Sequence, residues 1–196
     1  MTRERVLAIS IVTAVVGFLV TLAITLGVRQ RSTTEPAAGP ASAPSAAPSG
    51  ASMGGRKIRV RLYYVSTDGT KLTAVDHEVA YGDGMSAQAQ EIVNAQLQPA
   101  VAPLVSAIPA GTRLRAVYLN EKGEAYVDLS KEASSAHTGG SQDELLTVYS
   151  IVNALTSNLP AVTAVQLLID GKEVETLAGH IDLRQPLAKN VDIVSE

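Results

Sequence analysis

Cysteine is absent from the 196 residues, which excludes disulfides, thiolate metal sites, a nucleophilic thiol and a lipid-modified N-terminal cysteine. Tryptophan is absent too, and the single phenylalanine, Phe18, lies in an apolar run near the N-terminus. A globular core must therefore be built from Leu, Val, Ile, Ala and six tyrosines. An excess of positive charge is also lacking. The formal net charge is -3, and from Arg56 onward 12 Lys and Arg stand against 17 Asp and Glu. That balance argues against nucleic acid as a partner, because affinity for it comes mainly from neutralising phosphates. The one basic concentration is Arg56, Lys57, Arg59 and Arg61, which reads first as a solvated strand face.

What is present begins with a hydrophobic run. Val6 to Val28 is 23 residues without a charge, long enough at about 1.5 Å per residue to cross a bilayer core of about 30 Å. A cleaved signal peptide would carry a shorter apolar region with a small-x-small site directly behind it, whereas Arg29-Gln30-Arg31 closes this one. The reading is a short cytoplasmic tail over 1–5 and a transmembrane helix over 6–28, with cleavage in the Ala-rich segment after Glu35 as the alternative. Arg3 and Arg5 balance Arg29 and Arg31, so the orientation is decided by the short tail and by the composition of the chain beyond the run. They favour a single-pass inner (cytoplasmic) membrane protein, N-terminus inside and the remainder extracytoplasmic. Residues 29–56 read as a disordered tether. From Ser32 to Gly55 all but Glu35 and Met53 are Ala, Pro, Ser, Gly or Thr, and Pro36, Pro40, Pro44 and Pro48 recur every four residues. Such a segment can neither bury a core nor hold a helix.

Residues 57–186 carry the patterns of a folded domain, with a tail over 187–196. Ile58, Val60, Leu62 and Tyr64 alternate with Arg59, Arg61 and Tyr63, the period of a half-buried strand, and Ser66-Thr67-Asp68-Gly69 turns into a partner over 72–81. A helix over 86–98 is stopped by Pro99, and Pro103 and Pro109 keep the apolar connection behind it from continuing as a helix. Residues 113–120 and 124–130 predict a second hairpin. Ser141-Gln142-Asp143-Glu144 has the spelling of a capping box, and Leu145, Val148, Val152, Leu155 and Leu159 predict one apolar stripe on the helix behind it. Asp170-Gly171 predicts a third hairpin, over 165–177. Ile92-Val93-Asn94-Ala95 and Ile151-Val152-Asn153-Ala154 repeat one tetrapeptide, either a trace of duplication or a coincidence of two amphipathic helices. The expected fold class is α/β (α+β): a two-layer sandwich, with two helices on one face of a mostly antiparallel sheet.

An ordered series of short motifs carries a resemblance. Ile108-Pro109-Ala110-Gly111-Thr112, Val127-Asp128-Leu129-Ser130, the Gly-Gly-Ser-x-x-Glu-Leu-Leu helix start, Ile151 to Thr156, Val165 to Gly171 and Gly179-His180-Ile181-Asp182-Leu183 resemble the GerMN domain of the sporulation and germination family. The resemblance spans about 57–186. It implies a compact module similar to the ring-building motifs of secretion machineries, supporting assembly of an envelope-spanning complex without a known reaction. This chain has one module where the best-known members have two, and an apolar run where they carry a lipid-modified cysteine.

Chemistry-bearing residues are sparse. His77, His137 and His180 fall in separate contexts, and neither Asp76-His77 nor His180-Ile181-Asp182 has the spacing of a hydrolytic zinc site. Ser130, Ser134 and Ser135 lie near His137 without a nucleophile elbow. No catalytic residue, cofactor or metal is expected, and an enzyme is the least favoured reading. Two others remain. One is a non-enzymatic scaffold or interaction module contacting other envelope proteins or itself, with Lys57, Arg59 and Arg61 as the candidate surface. The alternative is a binding module for a cell-wall polymer or small ligand, which would need exposed tyrosines around a concave site.

Overall fold

The computed structural model describes residues 55–195. The expected span over 6–28 and nearly all of the tether lie outside them; among the described residues no helix is long and apolar enough to cross a membrane. The elements in chain order are β1 (Lys57–Val65), β2 (Leu72–Ala80), α1 (Met85–Gln96), β3 (Leu114–Leu119), β4 (Glu124–Leu129), α2 (Glu132–Ser135), α3 (Ser141–Asn158), β5 (Ala164–Ile169), β6 (Lys172–Glu173) and β7 (Leu187–Ala188). The mixed α+β class is as expected, but the strands form two sheets and not one. Among the strands just named, β1 and β2 pair only with each other, antiparallel from Lys57↔Ala80 to Val65↔Leu72, and single bridges tie Val65 to Val105 and Leu72 to Val194. The second sheet runs β3-β4-β5-β6, with β7 also on β5.

Within this larger sheet β4 and β5 are parallel, Glu124 opposite Ala164 through Leu129 opposite Ile169. Parallel neighbours need a long crossover, and α3 supplies it. The third hairpin shrinks to two pairs, Leu168↔Glu173 and Ile169↔Lys172, around Asp170 (φ 49°) and Gly171 (φ 77°). Two successive positive φ values are the turn that matches strand twist, so the turn forms as expected while its second strand leaves the sheet.

Both long helices touch both sheets: α1 meets β1, β2 and β3, and α3 meets β1, β5 and β7. This corrects the expected single stripe. From Leu146 to Val148 and from Ser150 to Leu155 α3 is buried on every side, polar Thr147, Ser150 and Asn153 included, because it has neighbours all round. Leu62, Leu72, Ile92, Leu129, Ile151, Leu155 and Leu167 join in one aliphatic core.

The capping box does not form either. Gly140, at φ 93°, occupies the cap position of α3 with no side-chain bond, and Ser141 is already helical. Glu144 turns away into the protein.

The outer edge of β1 would expose unpaired peptide groups, which in a sheet invite another strand. Side-chain amides occupy it instead. Gln96, the last residue of α1, accepts from Tyr63 N–H at 2.9 Å and donates to Tyr63 O at 2.7 Å. Asn158, the last residue of α3, accepts from Arg61 N–H at 2.8 Å and donates to Arg61 O at 2.7 Å. Val65 N–H donates to Val105 O at 2.9 Å. Two helix ends and a loop thus stand in for a neighbouring strand.

Residues 187–195 are built into the domain. β7 pairs with the start of β5. Leu72 N–H donates to Ile193 O and Ser195 N–H donates to Leu72 O, both at 2.7 Å.

Candidate functional site

Lys57, Arg59 and Arg61 share the exposed face of β1, as the alternation requires. Register sets Arg59 opposite Glu78 and Arg61 opposite Asp76, and Lys57 Nζ lies 3.8 Å from Glu78 Oε2. Arg59 and Arg61 line a shallow polar cleft of about 340 Å³ with Asp76 and Asn158. The structure therefore brings the basic strand end together and answers it with two carboxylates. At the open end of the hairpin the Arg56 guanidinium stands 4.1 Å over the Tyr81 ring.

The three histidines are in three places. His77 is exposed on β2. His137 Nδ1 accepts from Gly139 N–H at 3.1 Å, so the ring proton sits on Nε2 and points at Thr147 Oγ1, 3.1 Å away. Thr147 in turn donates to Ala107 O at 2.6 Å. Both ring nitrogens are engaged, and neither meets a serine. Ser130 Oγ accepts from Arg113 N–H, and Ser134 Oγ donates to Leu177 O.

His180 belongs to the loop that Glu144 organises. Glu144 is fully buried; Oε1 accepts from Leu177 and Ala178 N–H at 2.8 and 3.0 Å, and Oε2 accepts from His180 N–H at 2.8 Å. His180 Nδ1 lies 3.1 Å from the same oxygen. Burial alone would push this carboxyl up, but the backbone donors and His180 outweigh it and hold it below the usual carboxylate range. Beside it, Arg184 grips Asp182 through Nε and Nη2 at 2.9 and 2.7 Å and lowers its carboxyl to about 2. The Gly-His-Ile-Asp segment is thus a hydrogen-bonded loop around a buried anion. Among the described residues no group of three His, Cys, Asp or Glu could hold a metal ion.

A larger cleft, about 520 Å³, opens between the β1–β2 turn, the connection from α1 to β3, and the start of α3. Its walls are mostly apolar, with Val65, Val105, Ile108 and Leu146, and His137 and Asp143 mark its polar side. No tyrosine lines it. Val105 is 58% exposed, and Val101 in the same connection is 79% exposed. Sequence reasoning passed over this surface, treating the connection only as a helix stop. The signal was there: Ile92 to Thr112 carries no charged residue, yet such a run must cross the surface if it is a loop. Tyr118, 59% exposed, and Tyr126 sit directly opposite each other on β3 and β4.

Comparison with known proteins adds a lineage to this geometry. The Germane family, described as sporulation and spore germination, matches residues 61–175. The fold is similar to the first GerMN domain of the sporulation protein GerM from Bacillus subtilis, at 22% identity and TM-score 0.53 over 67% of this chain and 97% of that one. It is also similar to the tandem GerMN domains of GerM, at 18% identity and TM-score 0.54 over 70% of this chain and 48% of that one. A Clostridium perfringens protein assigned as a lipoprotein matches at 24% identity and TM-score 0.50, over 69% of this chain and 89% of its own. Among curated proteins, no sequence match is found.

Proposed function

The chain belongs to the Germane family of sporulation and spore germination, and from that premise we propose that its GerMN-like domain is a non-enzymatic scaffold or interaction module in a cell-envelope assembly. The observation that carries this reading is the internal engagement of its polar groups. Glu144 is held by three backbone N–H groups, and both nitrogens of His137 are bonded within the fold, so the polar chemistry serves architecture. The domain is held outside the cytoplasm by residues 6–28 and reaches its partners on the tether, over a range between about 25 Å and 75 Å. The assignment of a fold relative as a lipoprotein supports an anchored, extracytoplasmic domain. Lys57, Arg59 and Arg61 form one contact surface, reached from the tether side.

Crosslinking of the full chain in its native membrane tests the reading. Replacing Lys57, Arg59 and Arg61 with Gln, which sets no new carboxylate against Asp76 and Glu78, should abolish capture of the partner with little change in stability. Replacing His77 and His180 together with Ala, His137 being left in place because it lines the larger cleft, should leave biological function nearly intact; its loss in a folded variant would mean a metal or acid–base site. A reporter active only outside the cytoplasm, fused after Glu196, should work, and activity of a cytoplasmic reporter alone would reverse the orientation.

A second reading, binding of a cell-wall polymer, draws on the Tyr118–Tyr126 pair, two rings side by side on a sheet surface where sugar faces could stack. Retention of the full chain on purified cell wall, lost on Tyr118→Ala, would favour it.

A further inference from the structure

The cleft beside Val105 is the feature that the folded core leaves unexplained. Loops normally cross the surface on polar residues, yet this connection reaches Arg113 without a charge and leaves Val101 and Val105 largely in solvent. Exposed apolar residues that stand singly need no explanation. Here Val105 forms a wall of a cleft of about 520 Å³, within the range of about 300–1,000 Å³ typical of ligand sites. Its backbone is fixed: Val65 N–H holds Val105 O, Thr147 Oγ1 holds Ala107 O, and Ser106 Oγ accepts from Ile108 N–H. The cleft is a preformed surface.

Its chemistry selects what can enter. Asp143 is the one carboxylate among the lining residues, and His137 is engaged through its ring nitrogens by Gly139 and Thr147. The Asp143 carboxylate is exposed, and it makes no ion pair among the described residues. No Lys or Arg lines the cleft while the Asp143 carboxylate does, which disfavours an anionic ligand. No tyrosine lines it, so sugar rings find no stacking face. We propose that this cleft is a docking site for an apolar peptide segment of a partner protein that carries one Lys or Arg, its aliphatic side chains against Val65, Val105 and Pro109 and its cation on Asp143. The inference rests on the interaction-module reading and gives it a second surface, distinct from Lys57, Arg59 and Arg61. A scaffold with two such surfaces can hold two partners at once.

The test uses the full chain in phosphatidylcholine nanodiscs, panned against a displayed random dodecapeptide library after depletion on empty nanodiscs. Enriched peptides should combine Leu, Val or Ile with a single Lys or Arg. Their binding should fall at least tenfold on Ala136→Trp, which fills the cleft from an exposed position, and on Val105→Asp. Asp143→Lys should switch the selected charge to Asp or Glu. Failure to enrich any such peptide, or binding that survives both Ala136→Trp and Val105→Asp, would overturn the proposal. So would concentration-dependent association of the chain that Ala136→Trp abolishes, since the occupant would then be a second copy. Crosslinking in the native membrane separates this from the broader reading: partner capture that persists in a full chain showing no peptide binding leaves the module intact and removes only the cleft.

Discussion

Asn153 and Asn190 are clasped to each other: Asn153 Nδ2 donates to Asn190 O at 2.7 Å, and Asn190 N–H donates to Asn153 Oδ1 at 3.0 Å. A fully buried side chain in the middle of α3 therefore takes its partner from a stretch that looks like a tail. Ending the chain after Pro186 should destabilise the domain by at least about 1–3 kcal/mol, the cost of leaving a buried polar group unsatisfied, with the loss of β7 in addition. Hydrogen exchange should show α3 and β5 losing protection together. Unchanged protection would make 187–195 an appendage.

The clasp of Gln96 on Tyr63 gives a second expectation. Gln96→Ala strips a buried peptide of both partners and should cost about 1–3 kcal/mol in denaturant unfolding. Asn158→Ala, at an exposed peptide that water can serve, should cost less. Both should also raise self-association at high concentration, because β1 regains a bare edge. Sedimentation that stays monomeric in both variants would show that the edge is protected by something else.

At the start of α3 the expected cost moves by one residue. Ser141→Ala should change stability by less than about 0.5 kcal/mol, as for an ordinary surface site. Gly140→Ala should cost about 1–3 kcal/mol, since φ 93° is a conformation that a side chain strains. Equal costs at both positions would restore Ser141 as the cap.

Glu144 makes stability depend on acid. Its folded carboxyl titrates below the unfolded value of about 4.3, so its contribution is complete above that pH and drains as the pH falls through the folded value. In Glu144→Gln an amide group must face N–H donors, which should cost about 1–3 kcal/mol at pH 7. The gap between the variant and the parent should narrow below about pH 4. Denaturant midpoints at pH 3 to 7 decide; a gap independent of pH would mean that the charge is not what the loop recognises.

Local patterns were legible where the partner of a residue is near in sequence. Alternation placed β1, β2, β3 and β4, and Asp170-Gly171 placed its turn, because those pairings close over a few residues. Glu144 was misread for the opposite reason. Its spacing from Ser141 spells a cap, while its donors lie at Leu177, Ala178 and His180, and nothing in a tetrapeptide reports a loop that distant. The β4–β5 pairing was hidden likewise, since hairpin logic joins neighbours and α3 separates these two strands. Gln96 and Asn158 carry no local pattern that marks them; only the bare edge of β1 explains them. At the candidate site the basic strand face followed from alternation, but its facing carboxylates depended on register, and the apolar cleft on three segments meeting in space.

The pinning of Arg56 on Tyr81 and of Ser195 on Leu72 has a mechanical consequence. These two fastenings lie at opposite ends of the β1–β2 hairpin, roughly 30 Å apart for a nine-residue strand. A pull applied between residue 56 and residue 195 runs along the strand axis. Its covalent path follows β1 and the turn to Leu72, so the first non-covalent links it meets are the two 2.7 Å bonds of Ile193 and Ser195 to Leu72. The hairpin therefore fastens the start of the folded segment at one end of its length and the close of that segment at the other.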